Sequence, residues 1–129
     1  MKAYLKNYRQ SPRKIRLVAD LVRGKRVDRA LSSLAFLTKH AAEPVRKVIW
    51  AAVSSAGGEA RQKLERFYVK EIRVDEGTIL KRFMPRARGS AYPIRKRLSH
   101  ICVSLAENNQ RLTTNGRQSG DVLKSESGH

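Results

Sequence analysis

Residues 77–97 read GTILKRFMPRARGSAYPIRKR, and the fold turns on how this stretch is placed. It carries seven cations, Lys81, Arg82, Arg86, Arg88, Arg95, Lys96 and Arg97, and no acid. Its apolar residues follow neither a helical nor a strand period, and Pro85, Pro93, Gly77 and Gly89 punctuate it. Better strand candidates flank it on both sides, Phe67–Val74 and Leu98–Leu105. The simplest reading is a hairpin with a very long basic connection. A connection of about 20 residues is far above the usual loop length and is normally functional or disordered. Like charges repel along it, so it has no internal reason to be ordered. If extended, each arm reaches roughly 30 Å. A solvated, disordered loop is the plain alternative. Against it, Arg outnumbers Lys five to two, and Arg suits bidentate phosphate contact and stacking on bases. Phe83, Met84 and Tyr92 add apolar surface that a solvated loop does not need.

The whole chain shares this bias. Its 129 residues favour one domain. A net charge of +17 points to a polyanionic partner, with nucleic acid favoured over membrane. There is no run of about 18 apolar residues to form a membrane-spanning helix. The N-terminal residues alternate charge and apolarity from Lys2 and do not read as a signal peptide. A lone cysteine, Cys102, excludes an internal disulfide and fits a reducing compartment. Residues 1–26 hold nine cations against Asp20 alone, whereas residues 107–129 balance three cations with three acids. The basic surface therefore belongs to the folded part and the loop.

Upstream, residues 3–9 suggest a short edge strand. Ser11 as N-cap and Pro12 at the first helical position open a helix over 12–23. Ile15, Val18, Ala19 and Val22 form its apolar stripe, and Gly24 closes it. The first turn of a helix favours acids, yet here it holds Arg13, Lys14 and Arg16. Either these are solvated surface cations, or they join the helix N-terminus as an anion site. Asp28 can cap a second helix over 29–38, with Leu31, Leu34 and Ala35 facing inward. A third, longest helix runs from His40 to Gly57, its stripe being Val45, Val48, Ile49, Ala52, Val53 and Ala56. Trp50 lies off this stripe, suiting a core edge or a base-stacking role, with packing favoured. Residues 59–66 form a polar connection. In Phe67–Val74 the apolar parity switches, which a bulge near Lys70–Glu71 reconciles. Ile101, Val103 and Leu105 share one face of the last strand. Beyond residue 106 the composition is rich in Asn, Ser, Gly and Thr, and a largely disordered tail over 107–129 is expected.

Catalytic patterns are missing. His40, His100 and His129 are scattered, no His/Cys spacing suits zinc, and no phosphate-binding glycine pattern occurs. No metal, cofactor or enzymatic activity is expected. Cys102 reads as a small buried residue, and Asp75–Glu76 as a turn at a strand end. A free nucleic-acid-binding regulator would need dimer symmetry or a helix-turn-helix, and neither is evident.

SPRKIRLVADLVRGK (11–25), ALSSL (30–34) and above all DEGTILKRFMPRARGSAYPIRKRLSHICVSL (75–105) closely resemble the large-ribosomal-subunit protein L-twenty-two family. The likeness covers about residues 1–106. PRARG (85–89) inside a basic loop, followed by Lys96–Arg97 and SHI (99–101), is its most specific part. Ser90, Pro93 and Leu98 depart from the family's usual pattern. The resemblance implies an α+β domain, with three helices packed on a small antiparallel sheet and an extended basic hairpin over 76–97. It implies RNA binding through Arg13, Lys14, Arg16, Lys25, Lys81, Arg82, Arg86, Arg88, Arg95, Lys96 and Arg97. It places Phe83, Met84, Pro85, Ala87, Gly89, Ser90 and Ala91 at a hairpin tip that helps line the nascent-peptide exit tunnel. The implied partners are large-subunit rRNA, neighbouring large-subunit proteins and the nascent peptide at the tunnel wall, with no membrane and no second copy of the chain. The implied role is structural, in subunit assembly and in the cytoplasmic ribosome.

Overall fold

The computed structural model describes residues 1–107. The tail expected to be disordered lies, apart from Glu107, outside them. The element order is β1 (Lys2–Tyr8), α1 (Pro12–Val22), α2 (Val27–Phe36), α3 (Ala42–Ser54), α4 (Gly58–Gln62), β2 (Phe67–Pro85) and β3 (Ala91–Glu107), with single 3₁₀ turns at Leu64–Arg66 and Ala87–Gly89. The three strands form one antiparallel sheet in the order β1-β3-β2. The fold is α+β, as expected, with four helices instead of three. The missed helix, α4, is a five-residue turn that buries only Ala60, too short to leave an apolar period.

Helices cover one face of the sheet. Register places Val69 opposite Leu105, Ile72 opposite Val103 and Val74 opposite Ile101, while Ala3 and Leu5 extend the same face from β1. Against this face α1 lays Ile15, Val18, Ala19 and Val22, all fully buried. Each larger aliphatic side chain so buried contributes about 1.5–3 kcal/mol. From α3 come Val45, Val48, Ile49, Ala52 and Val53, and from α2 Val27, Ala30, Leu31 and Leu34. Ala35 and Ala56, assigned to these stripes from sequence, are exposed. Cys102 points to the face that carries no helix and is half-buried rather than buried. The parity switch in β2 is a real register shift between Val69 and Glu71.

Helix starts differ from the sequence reading. Ser11 occupies the N-cap of α1 but makes no side-chain cap bond. The second helix begins at Val27, so Asp28 lies inside its first turn, where a carboxylate suits the positive dipole end. At the other end of α1, Gly24 takes φ +77, a left-handed closure that glycine adopts freely.

The largest correction concerns residues 77–97. They are not a long connection but the extended hairpin that the resemblance implies over 76–97. β2 and β3 stay paired from Phe67 opposite Glu107 to Pro85 opposite Ala91, leaving a turn over 86–90. Asp75–Glu76 is accordingly within a strand and forms no turn. Alternation is a signature of a strand with one buried face. Past the domain both faces of this ribbon meet solvent, so that signature is absent although the ladder continues.

Candidate nucleic-acid interface

Two features isolate the basic arm from the domain. Between Glu76 and Ile79 the register shifts, which marks a bulge at Gly77–Thr78. There the backbone of β2 closes on Leu98: a Cβ on Gly77 would lie 3.0 Å from the Leu98 carbonyl carbon and oxygen. Leu98 and Ser99 are the buried residues of β3 nearest the arm. Beyond the bulge, seven pairs from Ile79 opposite Arg97 to Pro85 opposite Ala91 carry the arm out, about 23 Å at strand spacing.

Register sorts the arm's side chains. One face carries Lys81, Phe83, Arg95 and Arg97, the other Leu80, Arg82, Met84, Tyr92, Ile94 and Lys96. Lys81 stands directly opposite Arg95, a like-charge pair that weakens the ribbon. Only Leu80 and Ile94 are half-buried, while every residue from Lys81 to Pro93 is exposed. Phe83 and Tyr92 are 75% and 55% exposed, and the Arg86 guanidinium sits 5.6 Å from the Tyr92 ring centre. That is cation–π distance. The tip is closed by the Arg86 N–H donating to the Ser90 carbonyl at 2.8 Å and by Ser90 Oγ donating to the Ala87 carbonyl at 2.9 Å. Arg88 at φ 62 and Gly89 at φ 69 turn the chain in the left-handed region. Of the residues assigned to the tip, Ala87, Gly89 and Ser90 form the turn, whereas Phe83, Met84, Pro85 and Ala91 end the two strands.

A cleft of about 730 Å³ opens where the arm leaves the domain. Arg9, Gln10, Ser11 and Lys14 line it from the start of α1, and Leu80, Arg82, Arg95, Lys96, Arg97 and Leu98 from the arm root. Ser99, fully buried, donates its hydroxyl to the Gln10 carbonyl and so ties the β1–α1 connection to β3 at this point. The cleft thus holds six cations from separate stretches of chain and no acid. Lys14, Arg82, Arg95, Lys96 and Arg97 were legible in the sequence as candidates. Arg9 was missed because a cation at the end of a strand has no local mark that the arm root will face it.

The other candidates lie elsewhere. Arg13 is exposed on the first turn of α1, and Lys25 is exposed past the other end of that helix, near Arg26 and Arg29. Arg16 serves the fold: its Nη2 and Nε donate to the Val74 carbonyl at 3.1 and 3.4 Å. About two turns further along the same face, Arg23 donates to the Ile72 carbonyl at 3.1 Å. Val69 exchanges backbone bonds with Gly24 and Lys25 at 3.1 and 2.9 Å. Together these groups cover the outer edge of β2, which would otherwise offer free carbonyls to another strand. Trp50, 38% exposed on the outer face of α3, is not a core residue. Nearby, the Arg26 guanidinium bonds Asp28 at 2.6 Å, which holds that carboxyl below the usual carboxylate range. Among the described residues, no three His, Cys, Asp or Glu side chains are grouped to hold a metal. No helix there is long and apolar enough to cross a membrane.

The sequence that builds this arm and its cation-lined root is similar to that of known proteins. The profile of the ribosomal protein L22p/L17e family matches residues 3–106. Large ribosomal subunit protein uL22 of Geotalea daltonii is 52% identical over 99 residues, covering 77% of this chain and 89% of that protein. The same-named protein of Bdellovibrio bacteriovorus is 50% identical over 107 residues, covering 83% and 97%. That of Desulfitobacterium hafniense is 51% identical over 106 residues, covering 82% and 93%. The chain therefore belongs to the ribosomal protein L22p/L17e family, whose members are structural, non-enzymatic proteins.

Proposed function

We propose that this chain is a structural constituent of the bacterial large ribosomal subunit, in the cytoplasm, and that it binds the subunit's rRNA through its arm and the start of α1. The observation that carries this reading is the arm itself. A two-stranded ribbon is marginally stable in water, and this one sets Lys81 against Arg95 and buries no side chain fully. Its sequence makes sense when polyanion surrounds it. Arg and Lys neutralise phosphates and release counterions. Folded RNA is recognised mainly through backbone and shape, with stacking where bases are unpaired, and Phe83 and Tyr92 are exposed for stacking. Arg13, Lys14, Lys25, Lys81, Arg82, Arg86, Arg88, Arg95, Lys96 and Arg97 make the phosphate contacts, while Arg16 has one guanidinium nitrogen left for them. The thin arm enters crevices between RNA helices, which supports subunit assembly, and its tip from Phe83 to Ala91 helps line the nascent-peptide tunnel beside neighbouring ribosomal proteins.

Sucrose-gradient fractionation of native lysate, with a moderate-salt wash, tests this. Stoichiometric presence in the large subunit after washing is the expected result. A chain that stays at the top of the gradient, or leaves on washing, overturns it. Tunnel lining is tested by crosslinking from a photoreactive residue at Ala87 to a stalled nascent peptide. Crosslinks formed only to rRNA would remove the tip from the tunnel wall.

A further inference from the structure

We propose that the cleft between the start of α1 and the arm root is an RNA-backbone clasp that sets the direction of the arm. The inference rests on the RNA-binding reading above and adds a mechanical role to one part of it. Three observations converge. First, the cleft walls belong to two bodies. Arg9 and Lys14 stand on the domain, and Arg82, Arg95, Lys96 and Arg97 stand on the arm. Second, the register shift between Glu76 and Ile79 lies where those bodies meet, and a bulge is where a ribbon bends most readily. Third, the domain wall is fixed. Ser99 is buried in β3 and bonds the Gln10 carbonyl, so the connection carrying Arg9 does not follow the arm.

The consequences follow from charge. Six cations around one cleft repel one another, and no acid in the lining offsets this. Without an anion, repulsion pushes the arm root away from α1 and leaves the arm free to swing about Gly77–Thr78. An RNA strand in the cleft brings several consecutive phosphates, some against each wall. The repulsion becomes attraction through the ligand, and the angle is set. The same event that docks the domain therefore aims the arm. An isolated anion would touch one wall; a phosphodiester strand spans both.

The test measures the distance between spin labels on the tip and on α3, in full-length protein carrying Cys102→Ala, Ala87→Cys and Ala51→Cys. The probe is oligouridylate. A second protein adds Arg9→Gln and Lys14→Gln. Both residues are exposed, and their side chains make no hydrogen bond among the described residues. In the first protein, the distance distribution is broad when free and narrows at least twofold with RNA. In the second, RNA binds about tenfold more weakly at 0.15 M salt, with a salt slope shallower by about 1.4 for two lost contacts, and the distribution stays broad at saturation. Equal narrowing in both proteins, or a narrow distribution before RNA is added, overturns the clasp and leaves RNA binding standing. Absence of binding to either protein removes the RNA reading and the clasp with it.

Discussion

Replacing Gly77 by alanine tests how closely β2 approaches β3 at the bulge where the arm leaves the domain. The added Cβ would lie 3.0 Å from the carbonyl carbon and oxygen of Leu98 and 3.1 Å from its Cβ. Ordinary contact begins at 3.4 Å, so β2 and β3 must separate by about 0.4 Å here. Two of the three opposing atoms are backbone, and Leu98 is buried on the central strand. They have no rotamer through which to yield. Overpacking of this kind costs about 1–3 kcal/mol. The lower entropy of the unfolded alanine chain returns about 0.4–1 kcal/mol, leaving a net loss of about 1–2 kcal/mol. For a domain near 100 residues that lowers Tm by roughly 5–10 °C. Gly58→Ala is the matched control, because a Cβ there meets nothing within 4 Å. It should leave Tm unchanged or raise it slightly. Thermal unfolding followed by circular dichroism reads both. If Gly77→Ala melts at or above the wild-type temperature, the close approach of β2 to Leu98 is wrong.

Arg16→Ala should destabilise the protein by about 1–2 kcal/mol in urea titration, since it strips the Val74 carbonyl of its partner. Arg13→Ala, one turn away and exposed, should stay within about 0.5 kcal/mol, and equal effects would deny Arg16 its structural role. The Arg26–Asp28 bond gives a pH signature. The carboxyl's folded-state pKa is depressed, chiefly by the hydrogen bond from Arg26. Its stabilisation is therefore fully present above the unfolded Asp value of about 3.9 and is lost as pH falls from there through the lower folded value. Asp28→Asn should flatten that part of the acid limb in urea titrations repeated down the pH range, and an unchanged slope would contradict it. In the free protein, amide hydrogens over 79–97 should exchange orders of magnitude faster than those pairing 67–74 with 101–107, because the arm lacks a core. Uniform protection along both strands would show an arm that is stable without RNA.

What the chain carries locally could be read from it. The stripe Ile15, Val18, Ala19 and Val22, closed by Gly24, is one helix with one buried face, and a 3.6-residue period states both facts. The parity switch at Lys70–Glu71 gave the bulge for the same reason: a strand over a core must keep its apolar side inward. Seven cations without an acid gave the polyanion partner, since charge is additive and needs no fold to be counted. The strand nature of residues 79–97 could not be read from periodicity and came only with the family resemblance. A ribbon wet on both faces has no alternation, and its order comes from register propagated out of the buried pairs below. Nor was the role of Arg16 legible, because the carbonyl it satisfies is 58 residues away. The cleft depended on tertiary structure for the same reason. Arg9, Lys14, Arg82 and Arg95 come together only because α1 packs beside β2 and Ser99 ties the β1–α1 connection to β3.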